Sequence, residues 1–375
     1  MTIASKPRIL LAVTFYNGRD FARRTLESIA GIDRDGFDLD VLVLDDCSPE
    51  PGFSAVLAAI AQETGAVYYR SPRNQGIPRN VNLGLVTALK LDYDFVVISN
   101  SDVIYARNSV RVLLDVIASS PEAASATAWS TNVDPYSIPN GTELLSESQA
   151  VVDVVGGALF ETFGVSSVEI PAGISFAMII PVGVLRTVGL MDPIFGRGYG
   201  EESDWSARAS DAGFRHLLAV GAFVYHAGRG STLAAGVVTK DQIADWGNQK
   251  IVDHRSPQFA PRVLSFLQSG VMDDVWPEAL RSIVKGAAAA HGYAVVDATR
   301  DWQDPDSSVV LVALSSHEYA AYTAHWQGFT TDIEVDGFDV MGSISGFFAN
   351  ANPIYTNVRD AKVAGTPAFG YPLEV

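Results

Sequence analysis

Short apolar segments alternate with amphipathic segments along the first hundred residues of the chain. The apolar segments have the length of β-strands, and the amphipathic segments between them have helical spacing. The predicted strands cover residues 9–15, 41–44, 67–69 and 95–99. The first predicted helix follows the first strand and ends at residue 29, and two further helices cover residues 54–63 and 80–89. Strands that alternate with helices are typical of βαβ units and a parallel sheet. The pattern therefore predicts an α/β fold with a Rossmann-like, mainly parallel sheet flanked by helices.

The rest of the chain is less regular. Residues 128–169 are rich in turn residues, which predicts a loop-rich excursion over the edge of the sheet. The further predicted elements are strands over residues 174–181, 217–225, 294–296 and 309–314 and helices over residues 184–188, 203–212, 242–267 and 279–290, with little periodicity after residue 337. We therefore predict two domains, a sheet domain over residues 1–232 and a smaller α/β accessory domain over residues 233–375.

The composition excludes some classes of function. The chain has 375 residues, of which 48% are hydrophobic, and a formal net charge of -17. Nucleic-acid binding requires clustered Lys and Arg, so we do not expect a nucleic-acid partner. Residues 1–8 lack an apolar signal core, and the apolar stretch 174–185 is shorter than the roughly 20 residues that span a bilayer. We expect a cytoplasmic protein with no transmembrane segment, and the single cysteine, Cys47, fits a reducing compartment.

Polar side chains follow three of the predicted strands. Thr14, Tyr16 and Asn17 end the first strand, Asp46 follows the second, and Asn100 follows the fourth. Open α/β sheets bind ligands at this edge. There Tyr16 is able to stack on a nucleobase, Asn17 to fix its loop, and Asp46 to accept from a base N–H or a ribose hydroxyl. An ordinary strand end with core aromatics is the alternative for the first strand.

A further polar tract, residues 73–80, combines two guanidiniums with turn residues at the start of a predicted helix. Arg79 lies in this tract, and a guanidinium at a helix start is a natural contact for a diphosphate or a ribose. The alternative is a surface loop with a helix cap.

Asp102 is the leading candidate for a metal ligand. Cations such as Mg²⁺ and Mn²⁺, which bridge diphosphates, favour carboxylate oxygens. His226, at the end of the predicted strand over residues 217–225, would complete the site, and Mn²⁺ tolerates imidazole better than Mg²⁺ does. A single histidine is more often structural, and that alternative stays open at this point.

Three acidic residues precede or begin the predicted helix over residues 203–212. Glu202 is the candidate general base, because Glu201 and Asp204 would raise its pKa and the helix N-terminus would hold it. Glycines at alternate positions before these acids indicate a lid-like loop. The alternative is that the acids only complement the helix dipole.

Taken together and in order, six tracts resemble one enzyme family. They are Thr14-Phe15-Tyr16-Asn17, Leu44-Asp45-Asp46-Cys47-Ser48, Arg73-Asn74-Gln75-Gly76 with Arg79-Asn80, Ser99-Asn100-Ser101-Asp102, Gly200-Glu201-Glu202-Ser203-Asp204 and Val224-Tyr225-His226-Ala227-Gly228-Arg229-Gly230-Ser231. The set, which covers residues 7–232, resembles the family 2 glycosyltransferases with a GT-A fold. The rhamnosyltransferase-like branch looks most similar, because it has a similar glycine-to-acid loop and a similar Tyr-His ending.

The resemblance implies roles for the candidate residues. We expect the nucleotide to contact Thr14, Tyr16, Asn17, Asp46, Arg79 and Asn100, a divalent metal to bind Asp102 and His226, and Glu202 and Asp204 to be the catalytic acids. Two positions depart from the family pattern. Asn100 stands where the DxD motif usually begins with Asp, which lowers the charge of the metal site. Glu202 stands where the family usually has Asp, which leaves Glu201 and Asp204 open as the base.

The expected function is that of an inverting, metal-assisted glycosyltransferase, with a role in bacterial polysaccharide or glycan assembly implied by the family alone. It would move a sugar from a UDP- or dTDP-linked donor to a glycan or other hydroxyl acceptor by one in-line displacement. A sugar nucleotidyltransferase is an alternative, but residues 14–20 contain a single glycine where such enzymes have a Gly-rich loop. A nucleotide-sugar-binding or scaffold protein without activity is the non-enzyme alternative, motivated by Asn100.

The accessory domain is expected to shape the acceptor site or to form a homo-oligomer. Its tryptophans are candidates for stacking on sugars, with core packing as the alternative. They are Trp246, Trp276, Trp302 and Trp326.

Overall fold

The computed structural model describes residues 6–133, 135–139, 147–228, 246–297, 310–314, 322–334, 336 and 339–356. A nine-stranded sheet forms the larger part of the fold. Its strands are β1 (Arg8–Phe15), β2 (Asp38–Asp45), β3 (Val67–Arg70), β4 (Phe95–Ser99), β5 (Val103–Tyr105), β6 (Ala123–Trp129), β7 (Ser167–Ile170), β8 (Ala177–Pro181) and β9 (Arg215–His226).

The strand order is β3-β2-β1-β4-β8-β6-β9-β5, and β7 pairs with β9 beside this path. The strands β1 to β4 pair in parallel. By contrast, β8 is antiparallel to β4 and β6, and β5 and β7 are antiparallel to β9. The α/β class is confirmed, but the sheet is parallel in its first half and mixed in its second, where we predicted a mainly parallel sheet. Apolar periodicity reports burial and not pairing direction, so it does not reveal the reversal at β8.

Helices cover both faces of this sheet. They are α1 (Arg19–Ala30), α2 (Phe53–Glu63), α3 (Ile77–Lys90), α4 (Ser109–Ala118), α5 (Gln149–Phe163), α6 (Val182–Val188) and α7 (Glu201–Asp211). Alternate residues of β1 point to opposite layers, since Leu11 and Val13 pack with α1, α2 and α4 whereas Leu10 and Ala12 pack with α3, α6 and α7. Burial on both faces therefore explains the uninterrupted apolar runs of the central strands.

The predicted loop over residues 128–169 is wrong where α5 and β7 lie. The α5 sequence is apolar on most of its circumference, so it lacks the one-sided pattern of a surface helix. The reason is that α5 packs against β9 on one side and against a C-terminal helix, α10 (Val275–His291), on the other. Two glycines allow close approach, because a Cβ on Gly156 would overlap Ala106 and a Cβ on Gly286 would overlap Ala158.

A second, five-stranded sheet lies in the C-terminal part of the chain. Its strands are β10 (Tyr293–Asp297), β11 (Val310–Leu314), β12 (Tyr322–Trp326), β13 (Phe329–Ile333) and β14 (Pro353–Thr356), in the order β13-β12-β11-β10-β14, and the helices of this part are α8 (Trp246–Arg255), α9 (Phe259–Gln268), α10 and α11 (Val340–Phe347). The smaller C-terminal α/β unit is therefore confirmed. The elements α11 and β14 lie in the segment after residue 337, where the sequence shows little periodicity.

The two sheets share one hydrophobic core. Val155 and Leu159 of α5 belong to the same buried cluster as Ile283 and Ala287 of α10. In addition, the Ser282 hydroxyl donates to the Ala158 carbonyl at 2.7 Å. The predicted domain boundary at residue 232 lies outside the described residues and stays a prediction.

The tryptophans of the C-terminal part whose side chains the structure describes make contacts within the fold. Trp326 is buried in the core, and Trp276 donates its indole N–H to the Ser137 carbonyl at 3.1 Å. Trp302 and the side chain of Trp246 lie outside the described residues. Among the described helices, none combines the length and the apolar character needed to cross a bilayer.

Candidate functional site

A cavity of about 360 Å³ opens at the carboxyl ends of β1, β2 and β4. Four of the residues predicted for nucleotide binding line it, namely Thr14, Tyr16, Asp46 and Asn100. The other lining residues are Phe15, Asn74, Gly76, Ile77, Asn80, Ser101 and Arg197. The volume lies within the range of small-molecule sites, and the place is the sheet edge where α/β proteins bind ligands.

Asn17 connects the loop after β1 to the loop after β2. Its backbone N–H donates to the Ser48 hydroxyl at 2.9 Å, and its side-chain oxygen accepts from the Glu50 N–H at 3.2 Å. Asn17 itself has a φ of 58°, in the left-handed region that Asn tolerates better than most residues. It does not line the cavity, so its described contacts fix the loop that carries Tyr16.

Asp45 and Asp46 are adjacent acids with different environments. Asp45 is fully buried and accepts hydrogen bonds from Ser48, Ser54 and Tyr68. Burial alone would raise the pKa of Asp45, but these hydrogen bonds together lower it. Asp45 therefore holds the strand end together as a carboxylate.

Asp46 lines the cavity and organises the neighbouring loop. Its two carboxylate oxygens accept from the backbone N–H groups of Gln75 and Gly76, at 2.6 and 2.9 Å. Burial, and to a smaller extent the charge of Asp45, raises the pKa of Asp46 in spite of these bonds. The predicted base-binding acid thus also fixes the loop on the opposite side of the cavity.

The start of α3, just after this loop, brings the side-chain amide of Asn80 to the cavity. Asn80 is buried, and its side-chain N–H donates to the Leu44 carbonyl at 3.2 Å. The side-chain oxygen of Asn80 has no hydrogen-bond partner in the described part of the chain. Arg79, by contrast, is exposed and does not line the cavity.

Arg197 is a cationic residue that lines the cavity, and the sequence patterns did not predict it. It lies between Gly196 and Gly198, both of which have positive φ. The loop is packed closely onto the loop after β3, since a Cβ on Gly76 would overlap the Gly196 carbonyl oxygen. The recognisable signal in the sequence is an arginine flanked by two glycines shortly before an acidic helix start.

Asp102 and His226 meet beside the cavity. His226 Nε2 lies 3.3 Å from Asp102 Oδ1 and 3.2 Å from the side-chain nitrogen of the cavity residue Asn100. His226 Nδ1 lies 3.1 Å from the Asn132 carbonyl, which only accepts, so Nδ1 carries a hydrogen. The ring stacks on Phe176, with centroids 5.4 Å apart. The structure therefore brings these two residues together, and their role as metal ligands stays a prediction.

The electrostatics of this pair favour positive charge between its two members. Burial lowers the pKa of His226, but Asp102, the Asn132 carbonyl and Glu202 raise it more, and the net shift is upward. Because Nδ1 carries a hydrogen, Nε2 exists in two forms. In the protonated form, Nε2–H faces the Asp102 carboxylate, and in the neutral form the Nε2 lone pair is available to a cation. Asp102 and His226 offer the oxygen and nitrogen donors that Mn²⁺ accepts.

Beside the Asp102–His226 pair, the described part of the protein supplies few donors to a metal ion. Within the described ranges, no group of three or more His, Cys, Asp and Glu side chains is arranged to hold a metal ion. A divalent cation on Asp102 and His226 would take its remaining ligands from diphosphate oxygens and water, as Mg²⁺ and Mn²⁺ commonly do at nucleotide sites.

Glu202 lies in the first turn of α7 and is held by one residue. Its Oε2 accepts from both the backbone N–H and the hydroxyl of Ser175, at 2.8 and 2.5 Å. Burial raises the pKa of Glu202, while these bonds and the charge of His226 oppose the rise. A half-buried carboxylate with a raised pKa and one oxygen outside these bonds has the properties of a general base.

The two other acids of this turn have different environments. Glu201 is buried, and burial together with the charge of Glu202 raises its pKa to about 8, which favours the neutral acid. Asp204 is buried and pairs with Arg208 at 2.9 Å and with Arg255 of α8 at 3.2 Å. Asp204 is therefore part of a structural ion-pair network.

The comparison with protein families addresses the first half of this site. Residues 11–158 match the model described as glycosyl transferase family 2. The matched segment contains the cavity residues from Thr14 to Asn100 and also Asp102, and it ends before Glu202 and His226. The search of curated proteins gave no match.

Several solved structures are similar to parts of this chain. GalNAc-T7, solved with UDP, GalNAc and Mn²⁺, matches with 13% identity and a TM-score of 0.49, over 71% of this chain and 58% of its own. The mannosyltransferase PcManGT from Pyrobaculum calidifontis, solved with GDP-Man and Mn²⁺, matches with 17% identity and a TM-score of 0.43, over 77% of each chain. S. aureus TarS 1-349 matches with 14% identity and a TM-score of 0.45, over 76% of this chain and 82% of its own. The chain thus spans less than two thirds of GalNAc-T7.

Proposed function

We propose that the protein is an inverting glycosyltransferase that moves a sugar from a nucleoside-diphosphate sugar to a hydroxyl of a glycan or other acceptor. The observation that carries the proposal is the contact of Asn100 with His226 at 3.2 Å. Through it, the nucleotide-sized cavity that Asn100 lines adjoins the Asp102–His226 pair. A sugar diphosphate bridges two such places, with its base in a cavity and its diphosphate at a cation site.

In this proposal the cavity binds the nucleoside part of a UDP- or dTDP-linked donor. Tyr16 stacks on the base. Asp46 and the unsatisfied oxygen of Asn80 accept hydrogen bonds from the N–H groups of the base or from the ribose hydroxyls. Arg197 contacts the diphosphate, because it lines the same cavity and a guanidinium binds phosphate in a bidentate manner. The nucleotide contacts predicted for Thr14, Asn17 and Arg79 stay predictions.

Asp102 and His226 would hold the divalent metal, Mn²⁺ or Mg²⁺, through Oδ1 and Nε2. When bound, such an ion neutralises the charge that develops on the diphosphate as it leaves. Asn100 contributes an uncharged amide where a second carboxylate would add negative charge. We therefore expect weaker metal binding than a site with two carboxylates would give.

Glu202 is the general base of the proposed reaction. Ser175 holds one of its oxygens, and the other accepts the proton of the acceptor hydroxyl as that oxygen attacks the anomeric carbon. The bond from the anomeric carbon to the diphosphate oxygen breaks in the same step, and the nucleoside diphosphate leaves with the electron pair. A single in-line displacement inverts the anomeric configuration. We prefer Glu202 to Glu201 and Asp204 because Glu201 has a pKa of about 8 and Asp204 is engaged by two arginines.

Titration calorimetry of the purified protein with UDP, dTDP and GDP, with and without Mn²⁺, tests the proposal. We expect one nucleotide to bind in a metal-dependent manner, and Asp102→Ala to abolish the metal dependence. Asp115→Ala is the matched control, because Asp115 lies on α4, pairs with Arg111 of the same helix and is not among the residues that line the cavity. No nucleotide binding would overturn the proposal, and binding without turnover across a panel of acceptors would favour the scaffold alternative.

The proposal includes four finer features that are predicted from the sequence. They are the rhamnosyltransferase-like branch, the role in polysaccharide assembly, the cytoplasmic location, and an acceptor-binding or oligomer-forming role for residues 233–375. Identification of the donor base by the titration above would direct the search for the acceptor.

A further inference from the structure

We infer that Asn248, on α8, is a positioning residue that holds Arg197 at the donor cavity. Residues beyond 232 would then serve donor binding directly, in addition to any role at the acceptor. The inference rests on the proposed function for its ligand, and it stands on the contacts between α8 and the loop over residues 195–200.

Asn248 joins the two ends of the turn that contains Arg197. Its side-chain N–H groups donate to the Phe195 carbonyl at 3.0 Å and to the Gly198 carbonyl at 2.8 Å. The two carbonyls bracket Gly196 and Arg197, so one amide fixes the chain on both sides of the arginine. An amide group is well suited to this, because it offers two hydrogens to two acceptors.

The same turn is confined on its cavity side. A Cβ on Gly76 would overlap the Gly196 carbonyl oxygen, and a Cβ on Gly198 would overlap Ile77. Gly76 and Ile77 line the cavity together with Arg197. The loop is therefore held between the cavity wall on one side and Asn248 on the other.

α8 is itself anchored beside this loop. Val252 is fully buried in a cluster with Phe195 and Phe259, which belong to the loop and to α9. Arg255 pairs with Asp192 at 2.8 Å and with Asp204 at 3.2 Å, which ties the helix to both flanks of the loop. Asn248 thus acts from a fixed support and not from a free segment.

The physical reason for such a support is the glycine content of the loop. Gly196, Gly198 and Gly200 all have positive φ, and glycine loses more conformational freedom on ordering than any other residue. Without the two bonds of Asn248, the ordering of the loop would have to occur when the nucleotide binds. A loop already ordered before binding avoids that entropy loss and increases affinity.

The test compares Asn248→Asp with Gln249→Ala. Asp has the shape of Asn but donates no hydrogen bond, so its carboxylate would face two carbonyl oxygens. Among the described residues, the Gln249 side chain bonds to Asp253 of the same helix and to no part of the loop, which makes its replacement a matched control. We expect Asn248→Asp to weaken binding of the nucleoside diphosphate about tenfold, the effect of roughly 1.4 kcal/mol, and Gln249→Ala to leave it unchanged.

A double-mutant cycle separates positioning from general destabilisation. Arg197→Ala removes the group that Asn248 positions, so Asn248→Asp should add little to the loss in the double variant. Trypsin cleavage after Arg197 in the nucleotide-free protein, followed by mass spectrometry, should be faster in Asn248→Asp than in Gln249→Ala.

The outcomes are distinguishable. Unchanged affinity in Asn248→Asp, or losses that add fully with Arg197→Ala, would overturn the inference and leave the proposed function intact. Equal cleavage after Arg197 in Asn248→Asp and Gln249→Ala would also overturn it. A wild-type protein that binds no nucleoside diphosphate would overturn the proposed function and, with it, the donor role of Asn248.

Discussion

His226 Nε2 lies 3.3 Å from Asp102 Oδ1, although 124 residues separate them, because β5 and β9 pair with Val103 opposite His226. The antiparallel register at the end of β9 thus brings His226, which lies outside the matched segment 11–158, to Asp102 within it. The pairing also explains why the imidazole is buried and its Nδ1–H is directed at the Asn132 carbonyl. The pairing of β5 with β9 therefore positions both side chains.

His226→Ala tests this relationship. We expect nucleotide affinity in the presence of Mn²⁺ to fall about tenfold or more, toward the metal-free value, because one of two protein donors is lost. Affinity without metal should change little. Calorimetry measures both, and His254→Ala is the control because His254 is exposed on α8. Equal losses with and without metal would contradict a metal-ligand role.

Glu202→Gln tests the general base. The amide keeps the shape of the side chain but does not take up a proton, so we expect kcat to fall by about 10²–10⁴-fold with little change in donor affinity. In the wild type, kcat should fall as the pH is lowered through the pKa of Glu202. Because burial raises that pKa, the fall should begin at higher pH than for an ordinary glutamate.

Asp204→Asn is the companion variant for the same helix turn. Asp204 is buried and bonds to Arg208 and Arg255, so its replacement should lower the free energy of unfolding by about 1–3 kcal/mol. At temperatures where the variant is folded, kcat should stay near the wild-type value. Urea unfolding and steady-state kinetics check the two statements, and a loss of kcat in folded Asp204→Asn comparable to that in Glu202→Gln would reverse the assignment.

Gly76→Ala tests the close contact between the two loops of the cavity. Gly76 has a φ of 78°, and a Cβ there would overlap the Gly196 carbonyl oxygen. Gly189 has a similar backbone conformation, with φ 84° and ψ -167° against φ 78° and ψ 161° at Gly76, and the nearest atom to the position that its Cβ would take is 4.0 Å away. Gly189→Ala therefore measures the backbone strain alone, about 1–3 kcal/mol. Gly76→Ala should lose at least as much stability and should also lose nucleotide binding. Equal nucleotide affinity in both variants would contradict the role of the contact.

The sequence predicted the strand ends of the site better than its loops. Thr14, Tyr16, Asp46 and Asn100 are recognisable because each follows an apolar run whose end must reach the sheet edge. Arg197 is not, because α8 and the loop after β3, both distant in sequence, bring it to the cavity. Long-range contacts of this kind leave no periodic pattern.

The roles of the three acids in the first turn of α7 also depend on contacts that are distant in sequence. Spacing placed Glu201, Glu202 and Asp204 on one helix turn but did not distinguish their roles. The distinction depends on Ser175, which precedes β8, and on Arg255, which lies 51 residues after Asp204. Only the fold shows that Asp204 is paired with arginine and that Glu202 is held by a serine.

His216 gives the last prediction, which concerns stability and not the proposed activity. It is buried between Ser125 and the Ser206 carbonyl, and burial lowers its pKa to about 4 from 6.5. His216 therefore becomes protonated below about pH 6.5 in the unfolded chain but only below about pH 4 in the folded protein. The free energy of unfolding should fall by about 3 kcal/mol as the pH is lowered from 6.5 to 4. His216→Gln should lose most of this slope in urea unfolding, whereas Ser125→Ala, which keeps the imidazole, should be less stable but retain it. A slope equal to that of the wild type in His216→Gln would show that another group is responsible.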